Sequence, residues 1–427
     1  MTDFLNELRW RGMIHDSMPG IDKKLASGVC SAYIGFDPTA DSLHIGSLVQ
    51  IMILVHLQKA GHRPLALVGG ATGMVGDPSG KSKERNLLSA DVLQHNLNCV
   101  KTQLEKFLDF DCGANSAKMV NNYDWFKDFS FLDFIRDVGK HISVNYMMAK
   151  DSVKSRLETG MSFTEFSYQL VQGYDFYHLY KNEDCSIQLG GSDQWGNITT
   201  GTELIRRMTG GEAFAITTPL IKKADGTKFG KTEGGNIWLD PAKTSPYKFY
   251  QYWINSSDVD CENYIKIFTL KSKDEIDTIV TKHKEEPHLR LLQQELAKEV
   301  TIRVHSEEDY ENALKASQIL FSKDATEELK TLNSALILEV FEGVPHIKIQ
   351  KEVYNNCQNY LELLHSKTEA GIFSSNGDAR KMIQSGAVSI NKTKITDAND
   401  AVNCSLLQDR FVLVQKGKKN YFLIEVE

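Results

Sequence analysis

The chain has 427 residues, of which 41% are apolar and 25% are charged, and its formal net charge is -7. This length exceeds one ordinary core, so we expect two or three domains, and the composition is that of a globular protein rather than a disordered or fibrous one. The negative balance excludes a generally basic nucleic-acid-binding protein, although residues 376–427 carry eight Lys or Arg against six Asp or Glu, a local excess of +2.

The seven cysteines are scattered and include no Cys-x-x-Cys pair. This pattern argues against a zinc site or a disulfide framework and favours a reducing compartment. The first 16 residues contain no apolar signal-peptide segment, and the longest apolar run, residues 48–57, is too short to cross a bilayer. The sequence therefore predicts a cytoplasmic protein with no membrane contact and no metal-ligating residues.

The first predicted elements form a strand–helix–strand unit. One short helix is expected within residues 1–25, followed by a buried strand at 32–34, a helix from 43 to 57 and a second strand at 64–68. A βαβ unit of this kind predicts a parallel sheet covered on both faces.

The connection between the first strand and its helix has the composition of a binding turn. Asp37-Pro38-Thr39 supplies turn chemistry, and Ser42 is the predicted N-cap of the helix. The N–H groups of such a helix end can bind phosphate, and His44 lies one turn in. The plain alternative is a surface histidine in an ordinary α/β fold.

A glycine-rich loop at residues 69–82 ends in Gly-Lys-Ser. The spacing excludes a Walker A loop, because the position that requires glycine is occupied by Val75. A ligand loop is still expected at the carboxyl end of a parallel strand, with Asp77 in the crevice. Lys81 and Arg85 follow on the next helix, where a solvated face is the alternative interpretation.

Residues 86–160 have helical periodicity, a short strand near 118–120, and a group of apolar side chains close to Trp125. The group consists of Phe126, Phe129, Phe131, Phe134 and Ile135. We interpret it as core, with a dimer interface as the alternative.

A predicted helix from Phe163 to Leu179 carries polar residues on one face. Tyr168, Gln172 and Asp175 fall at i, i+4 and i+7, and aromatic residues border them. A desolvated polar side chain without a partner costs about 2 kcal/mol or more. A ligand with an ammonium group and a phenolic hydroxyl would satisfy these residues; the alternative is a polar stripe that faces solvent.

Two later segments also suit a nucleotide. After a strand at 187–189, Gly191 permits close backbone approach and Asp193 can accept from ribose hydroxyls, although a turn with an N-cap is the alternative. Residues 222–235 form a polar, basic loop that we expect to be mobile. Its Lys228 and Lys231 can stabilise charge that develops on a triphosphate.

The rest of the chain is predicted to be helical to about residue 325, followed by a connection. A short basic helix and small strands then complete the C-terminal part. Four basic residues lie on or beside its hairpin, where a charged solvated edge is the alternative: Arg380, Lys381, Lys392 and Lys394.

Four segments, in this order, resemble the signatures of tyrosyl-tRNA synthetases, a family within the class I aminoacyl-tRNA synthetases. They are His44-Ile45-Gly46-Ser47 (the HIGH signature, with Ser47 in place of the second histidine), Gly76–Lys81, Gly191–Gln194 (GSDQ) and Lys228–Thr232 (KFGKT, a form of KMSKS). The resemblance covers essentially the whole chain. It implies an α/β fold: a Rossmann-like parallel-sheet catalytic domain, then an α-helical domain and a small α+β RNA-binding module.

The resemblance also implies the domain boundaries. They are a catalytic domain at 1–222 with a helical dimerisation region at about 110–160, a mobile loop and linker at 223–246, an anticodon-binding helical domain at 247–330, a linker at 331–350 and the RNA-binding module at 351–427.

Site roles carried over from the family fall into four groups. Tyrosine-binding residues are Tyr33, Asp37, Asp77, Tyr168, Gln172 and Asp175. ATP or adenylate contacts are Gly35, Thr39, His44, Gly46, Gly191, Asp193, Gln194, Lys228, Gly230 and Lys231. The catalytic residues are His44, Lys228, Lys231 and Thr232. Lys81 and Arg85 lie near pyrophosphate or the tRNA acceptor end, and Arg380, Lys381, Lys392 and Lys394 bind RNA.

The activity implied by the resemblance is ligation of L-tyrosine to tRNA(Tyr) by a homodimer, with ATP and Mg²⁺ as substrate and no tightly bound cofactor. Two alternatives stay open at this point. A tryptophanyl-type enzyme would share the scaffold, but an indole has no hydroxyl to satisfy Tyr33 and Asp175. A non-catalytic RNA-binding paralogue would keep the later domains without the chemistry.

Overall fold

The computed structural model describes residues 3–79, 88–151, 153–154, 160–227, 229–232, 235–321, 326–342, 344–368, 371–417 and 420–427. The chain divides into two compact units. One takes in the chain through Thr244 together with Trp253–Val304, and the other consists of Ser245–Tyr252 and His305–Glu427. Among the described helices, none combines the length and the apolar character needed to cross a bilayer.

The first unit is built around a mixed sheet whose strands alternate with helices. Its strands are β1 (Asp16–Ser17), β2 (Ser31–Phe36), β3 (Arg63–Val68), β4 (Lys118–Asn121), β5 (Cys185–Gly191) and β6 (Phe214–Thr218), with a small ribbon of β7 (Lys231–Thr232) and β8 (Gly235–Asn236). Its earlier helices are α1 (Phe4–Trp10), α2 (Ile21–Ala26), α3 (Ile45–Lys59), α4 (Thr72–Val75), α5 (Ala90–Leu104), α6 (Tyr123–Phe126), α7 (Phe131–Asp137), α8 (Val144–Met148), α9 (Phe163–Glu183) and α10 (Trp195–Thr209).

Within the described residues, the six strands of the main sheet are ordered β1-β6-β5-β2-β3-β4. The five strands β6 to β4 are parallel, and β1 is an antiparallel edge strand. β3 and β5 are buried almost throughout, as expected for strands covered on both faces. The predicted parallel sheet and βαβ unit are confirmed, and the carboxyl ends of β2, β3 and β5 meet at one edge.

The N-terminal region contains more elements than predicted, and α3 begins at a different cap. Residues 1–25 contain two helices and the short β1 instead of one helix. The N-cap of α3 is His44, whose Nδ1 accepts from the Gly46 N–H at 3.0 Å. The prediction of Ser42 as N-cap is wrong, because its hydroxyl accepts from Gln103 Nε2 at 3.0 Å and donates to the Leu43 carbonyl at 2.8 Å.

The apolar group near Trp125 is divided between the interior and the surface. Phe129 and Phe134 pack on Tyr174, with ring centroids 5.4 Å and 6.0 Å away. Phe131 and Ile135, on the same helix α7 as Phe134, are exposed. The interpretation of this group as core therefore holds for Phe129 and Phe134 but not for Phe131 and Ile135.

Three helices after the sheet belong to the first unit: α12 (Asp258–Phe268), α13 (Lys273–Glu285) and α14 (Leu291–Val304). Buried Arg11 joins α1 to this region by donating to the Thr269 carbonyl at 2.9 Å and the Lys271 carbonyl at 2.7 Å. The region predicted as one helical domain, 247–330, is thus divided between the two units.

The second unit contains a helical part and a small α+β part. Its later helices are α15 (Glu307–Phe321), α16 (Thr326–Thr331), α17 (Ser334–Val340), α18 (Lys351–Asn355) and α19 (Asn376–Gln384), and α11 (Pro246–Ile254) crosses the boundary between the units. Its strands are β9 (His346–Ile349), β10 (Val388–Ile390), β11 (Thr393–Ile395), β12 (Phe411–Lys416) and β13 (Asn420–Val426), ordered β11-β10-β12-β13-β9.

The segment predicted as a linker, 331–350, has secondary structure. It contains α17, whose Ile337 and Val340 are buried, and β9, which pairs in parallel with the last strand β13. β9 is a strand through its pairing with residues 77 positions later in the chain, such as Leu423 opposite His346.

Candidate active site

A cavity of about 310 Å³ lies at the carboxyl edge of the main sheet. Its walls come from the ends of β2 and β5, the start of α3 and one face of α9. The sequence-predicted residues that the structure brings together there are Tyr33, Gly35, Asp37, Thr39, His44, Gly46, Asp77, Tyr168, Gln172, Asp175, Gly191, Asp193 and Gln194. Carboxyl ends of parallel strands are the usual place for ligands in such sheets.

At one end of the cavity, Asp175 is a buried carboxyl group with two fixed donors. Asn122 Nδ2 donates to its Oδ2 at 3.1 Å, and Trp125 Nε1 donates to its Oδ1 at 2.9 Å. Asn122 is itself held, because its Oδ1 accepts from the Ala71 N–H at 2.7 Å. The carboxyl group is therefore held in one orientation by residues about 50 positions earlier in the chain.

Tyr33, on β2, brings a phenolic hydroxyl to the same cavity. Its side chain is 1% exposed, its ring meets Phe176 edge-on at 5.4 Å, and its hydroxyl oxygen has no hydrogen-bond partner among the described residues. A buried hydroxyl without a partner costs about 1–3 kcal/mol. A ligand hydroxyl at this end of the cavity would supply the partner.

Burial controls the ionisation of both groups. Desolvation raises the pKa of Asp175 to about 8, although the hydrogen bonds from Asn122 and Trp125 oppose the shift, and the charge of Asp37 adds to it. Desolvation, followed by the charge of Asp175, also raises the pKa of Tyr33 well above its ordinary range. Both positions therefore favour a neutral hydrogen-bonding partner over an additional negative charge.

The middle of the cavity is rich in hydrogen-bond acceptors. The Tyr168 hydroxyl donates to Asp37 Oδ2 at 3.0 Å, and Thr72 Oγ1 donates to Asp37 Oδ1 at 2.7 Å. Gln194 Nε2 donates to Asp77 Oδ2 at 2.8 Å. The buried Oε1 of Gln172 has no partner among the described residues. Carboxylates and amide oxygens placed in this way suit a cationic ammonium group.

The opposite end is formed by the start of α3. A Cβ on Gly46 would lie 2.7 Å from Cε1 of His44, so only glycine lets the histidine ring fold over the helix end. Because Nδ1 accepts from Gly46, the neutral His44 ring carries its proton on Nε2. The N–H groups and dipole of the 15-residue α3 favour an anionic ligand here.

The basic loop approaches the same helix end through its backbone. The Gly230 carbonyl accepts from the Ile237 N–H at 3.1 Å, and the Ile237 carbonyl accepts from the Ile45 N–H at 3.0 Å. Gly230 has φ +80°, and a Cβ there would lie 3.7 Å from the Gly46 nitrogen. Lys231, the next residue, is exposed.

Some predicted residues cannot be placed. Lys81, Arg85 and Lys228 lie outside the described residues, and of Thr232 only the backbone is described, as part of β7.

A turn after β5 completes the site. Gly191 ends the strand, and Asp193 and Gln194 follow in a 3₁₀ turn. A Cβ on Gly191 would lie 2.6 Å from Asp193 Oδ1, so the carboxylate occupies space that only glycine leaves open.

Several residues of the site were not found from the sequence. Asn122 and Trp125 orient Asp175, and Gln188 lines the cavity with a buried Oε1 that has no partner among the described residues. One signal was available for Gln188, because its amide side chain lies between Ile187 and Leu189 in a buried strand. Nothing local marks Asn122 or Trp125, which reach Asp175 only through folding.

The basic residues near the C-terminus differ in exposure. Arg380, Lys381 and Lys394 are exposed. The Lys392 side chain is 8% exposed, and its amine lies 3.1 Å from the Tyr421 hydroxyl and 4.9 Å from the ring centroid. The first three are thus available to a polyanion, whereas Lys392 packs within its own sheet.

Comparison of the chain with known proteins identifies its family. The model "tRNA synthetases class I (W and Y)" matches residues 26–322, and the model "Tyrosine--tRNA ligase SYY-like C-terminal domain" matches residues 337–424. A tyrosine–tRNA ligase of Cytophaga hutchinsonii is 62% identical over 424 residues, with 99% of each chain covered. One from Porphyromonas gingivalis is 62% identical over 431 residues, with 100% of each covered.

Solved structures give the same result for the fold. A C-terminally truncated mitochondrial tyrosyl-tRNA synthetase of Aspergillus nidulans has a TM-score of 0.66 at 30% identity, covering 75% of this chain and 94% of that one. A tryptophanyl-tRNA synthetase of Encephalitozoon cuniculi has a TM-score of 0.51 at 13% identity, covering 72% and 87%. The second likeness concerns the fold alone.

Proposed function

The chain belongs to the class I tRNA synthetases of the tyrosine and tryptophan group, as a tyrosine–tRNA ligase, and on this premise we propose which residues carry each step. The reaction activates L-tyrosine with ATP and then transfers tyrosine to tRNA. The family matches and the full-length identity favour this function over the tryptophanyl and non-catalytic alternatives.

Recognition of the substrate side chain is assigned to Tyr33 and Asp175. The observation that carries this proposal is a buried carboxyl group beside a buried hydroxyl that has no partner among the described residues. A phenolic hydroxyl can donate to Asp175 and accept from Tyr33. An indole or phenyl ring cannot, and would leave both groups unpaired.

The substrate ammonium group is assigned to Asp77, Tyr168 and Gln172, with Asp37 fixing the Tyr168 hydroxyl. Gln172 Oε1 and Asp77 are acceptors that line the cavity. With both ends of tyrosine held, its carboxylate is directed towards the start of α3.

Adenylate formation is assigned to that helix end and the loop. The tyrosine carboxylate attacks the α-phosphorus of ATP, forming tyrosyl-adenylate as the bond to pyrophosphate breaks. His44 and Lys231 stabilise the charge on the phosphates, and Lys228 and Thr232 share this role by motif. Gly35, Thr39 and Gly46 line the ATP side, and Gly191, Asp193 and Gln194 contact the ribose and adenylate. No covalent enzyme nucleophile is required, because positioning and electrostatic stabilisation suffice.

Magnesium enters this scheme as part of the ATP substrate. Within the described residues, His, Cys, Asp and Glu form no group of three or more that could hold a metal ion. Mg²⁺ that accompanies a nucleotide substrate is bound largely by the substrate phosphates and water.

The second step uses a terminal ribose hydroxyl of the tRNA, which displaces AMP from the adenylate. Lys81 and Arg85 are assigned to pyrophosphate or the acceptor end. Exposed Arg380, Lys381 and Lys394 are assigned to RNA phosphates; the burial of Lys392 leaves it out of this set.

We also propose that the chain forms a homodimer through α7 and α8. The exposed large apolar side chains of these two helices are Phe131, Leu132, Ile135, Val144 and Met148. Apolar exposure concentrated on two helices that are close in the chain marks a candidate interaction site, and a twofold dimer would cover it on both copies. Leu132→Asp should shift the sedimentation of the protein from dimer to monomer, whereas Val92→Asp, on an exposed part of α5, should not. Unchanged sedimentation of the first variant would refute this interface.

The proposed substrate assignment is tested by ATP–pyrophosphate exchange with single amino acids. Tyrosine should support exchange, and tryptophan and phenylalanine should support far less. Equal exchange with tryptophan would contradict the assignment of Tyr33 and Asp175 as hydroxyl partners.

A further inference from the structure

Phe229 lies inside the KFGKT segment and is held by residues other than those that line the cavity. Its ring stacks on Phe268 with centroids 5.4 Å apart and an interplanar angle of 15°, and it lies 5.0 Å from Tyr264 and 6.0 Å from Trp253. We call Trp253, Tyr264 and Phe268 the aromatic socket. Its members are 0–2% exposed and contact one another, so the socket is a rigid part of the core.

The residue that follows Phe229 is the one that meets the start of α3. Gly230 connects through Ile237 to the Ile45 N–H, and its backbone lies beside the Gly46 nitrogen. Gly230 has φ +80°, a backbone conformation that glycine adopts more readily than residues with a Cβ. Phe229 and Gly230 therefore hold the backbone from two sides immediately before Lys231.

A second contact joins the beginning of the loop to the same helix. The Ala224 N–H donates to Asp260 Oδ1 at 2.8 Å, and Asp260 lies in the first turn of α12, the helix that carries Tyr264 and Phe268. α12 thus holds the loop both before and within the KFGKT segment.

From these contacts we infer that Phe229 is a positioning residue for adenylate formation, which acts by anchoring the backbone of Lys231 in the aromatic socket. This inference rests on the proposed role of Lys231 in stabilising the transition state. A lysine that neutralises developing charge must be placed accurately, since a displacement of about 1 Å can cost up to about 10² in rate. An aromatic stack on a rigid socket restricts the backbone more than a solvent-exposed loop residue could.

The inference makes a specific prediction for substitutions of Phe229. Leucine keeps the apolar character but loses the stacking, so Phe229→Leu should lower kcat for pyrophosphate exchange by about 10- to 100-fold and change KM for tyrosine by less than about twofold. Methionine makes favourable sulfur–aromatic contacts, so Phe229→Met should keep most of the activity. Should Phe229→Leu fail to fold, Phe229→Ile takes its place.

Two controls separate positioning from a general loss of stability. Phe4→Leu makes the same change at a buried site on α1 that packs against His62, and it should lower the melting temperature without lowering kcat. In a Lys231→Ala background, Phe229→Leu should change kcat by less than about twofold, because the residue it positions is absent.

The outcomes distinguish the proposed role of Lys231 from the positioning role of Phe229. If Lys231→Ala lowers kcat but Phe229→Leu does not, or if Phe229→Leu lowers kcat equally with and without Lys231, the positioning role is refuted and the role of Lys231 stands. If Lys231→Ala leaves kcat unchanged, the assignment of Lys231 fails and the inference fails with it.

Discussion

Replacing Asp175 by alanine is expected to lower kcat/KM for tyrosine in adenylate formation by about 100-fold or more. The side chain is 1% exposed and lines the cavity beside Tyr33, so bulk water cannot take over its hydrogen bond. Without Asp175 the buried hydroxyl of the substrate is left without its partner, which costs about 1–3 kcal/mol, and each 1.36 kcal/mol is about tenfold in rate. That loss alone accounts for roughly 5- to 150-fold. Asn122 and Trp125 also lose their acceptor, which disturbs the cavity wall. The expected loss of kcat/KM therefore lies towards the upper end of this range.

Tyr33→Phe provides a matched comparison at the same end of the cavity. It removes a buried hydroxyl that has no partner among the described residues, so the ligand-free protein should become more stable by about 1 kcal/mol. The complex loses one hydrogen bond between neutral groups, about 0.5–1.5 kcal/mol, or roughly 2- to 12-fold in kcat/KM. The two variants should therefore differ clearly in the size of their effect on kcat/KM for tyrosine.

The assay is tyrosine-dependent pyrophosphate exchange, repeated with phenylalanine. Enzymes of this class are known to reject phenylalanine by about 10⁵, a magnitude taken from them and not worked out from this structure. Asp175→Ala should reduce that ratio mainly through the loss of tyrosine activity. An unchanged kcat/KM for tyrosine in a correctly folded Asp175→Ala variant would refute the assignment of this carboxyl group to the phenol.

Three further predictions follow from the charges. Lys231→Ala should lower kcat for adenylate formation by about 10²–10³ with little change in KM for tyrosine, and Lys222→Ala, a lysine outside the motif, should have no such effect. Burial raises the pKa of Asp175 from 3.8 to about 8, so its protonated form stabilises the fold fully below about pH 4, and this stabilisation is lost as the pH rises to 8. Chemical denaturation should therefore show a free energy of unfolding that declines between about pH 4 and pH 8, and the decline should be smaller in Asp175→Asn. Equal slopes in the two proteins would contradict the raised pKa of Asp175. Joint alanine substitution of Arg380 and Lys381 should weaken tRNA binding and reduce its salt dependence, while pyrophosphate exchange is unaffected. Lys106→Ala serves as the control. An unaltered dependence of tRNA affinity on salt in the double variant would rule out contact of these residues with RNA phosphates.

Much of the site was predictable because its parts are local in sequence. The stripe of Tyr168, Gln172 and Asp175 follows from the helical repeat alone, and these residues do face one cavity. The strand ends and the turns after them follow from short apolar runs bounded by glycine, proline and aspartate. Such signals depend on residues a few positions apart, so no knowledge of the fold is required to see them.

The helix cap shows where local reasoning fails. Ser42 has the better capping side chain by type, but Gln103, 61 positions later, occupies its hydroxyl. His44 takes the capping role because its ring folds back over Gly46. The choice between the two is made by the hydrogen bonds of Gln103, on α5, to Ser42 and to the Leu43 N–H, which no window of sequence contains.

By itself, the sequence determined the strand–helix–strand order at the start of the main sheet, the motif positions and the family to which they point, since each is encoded by neighbouring residues. Only the tertiary structure decided which donors orient Asp175, that Lys392 is buried while Lys381 is exposed, and that β9 belongs to the last sheet. These features depend on contacts between residues tens of positions apart. Such contacts form only when the whole chain buries its apolar surface, so the physical reason for them lies in the packing of the complete fold.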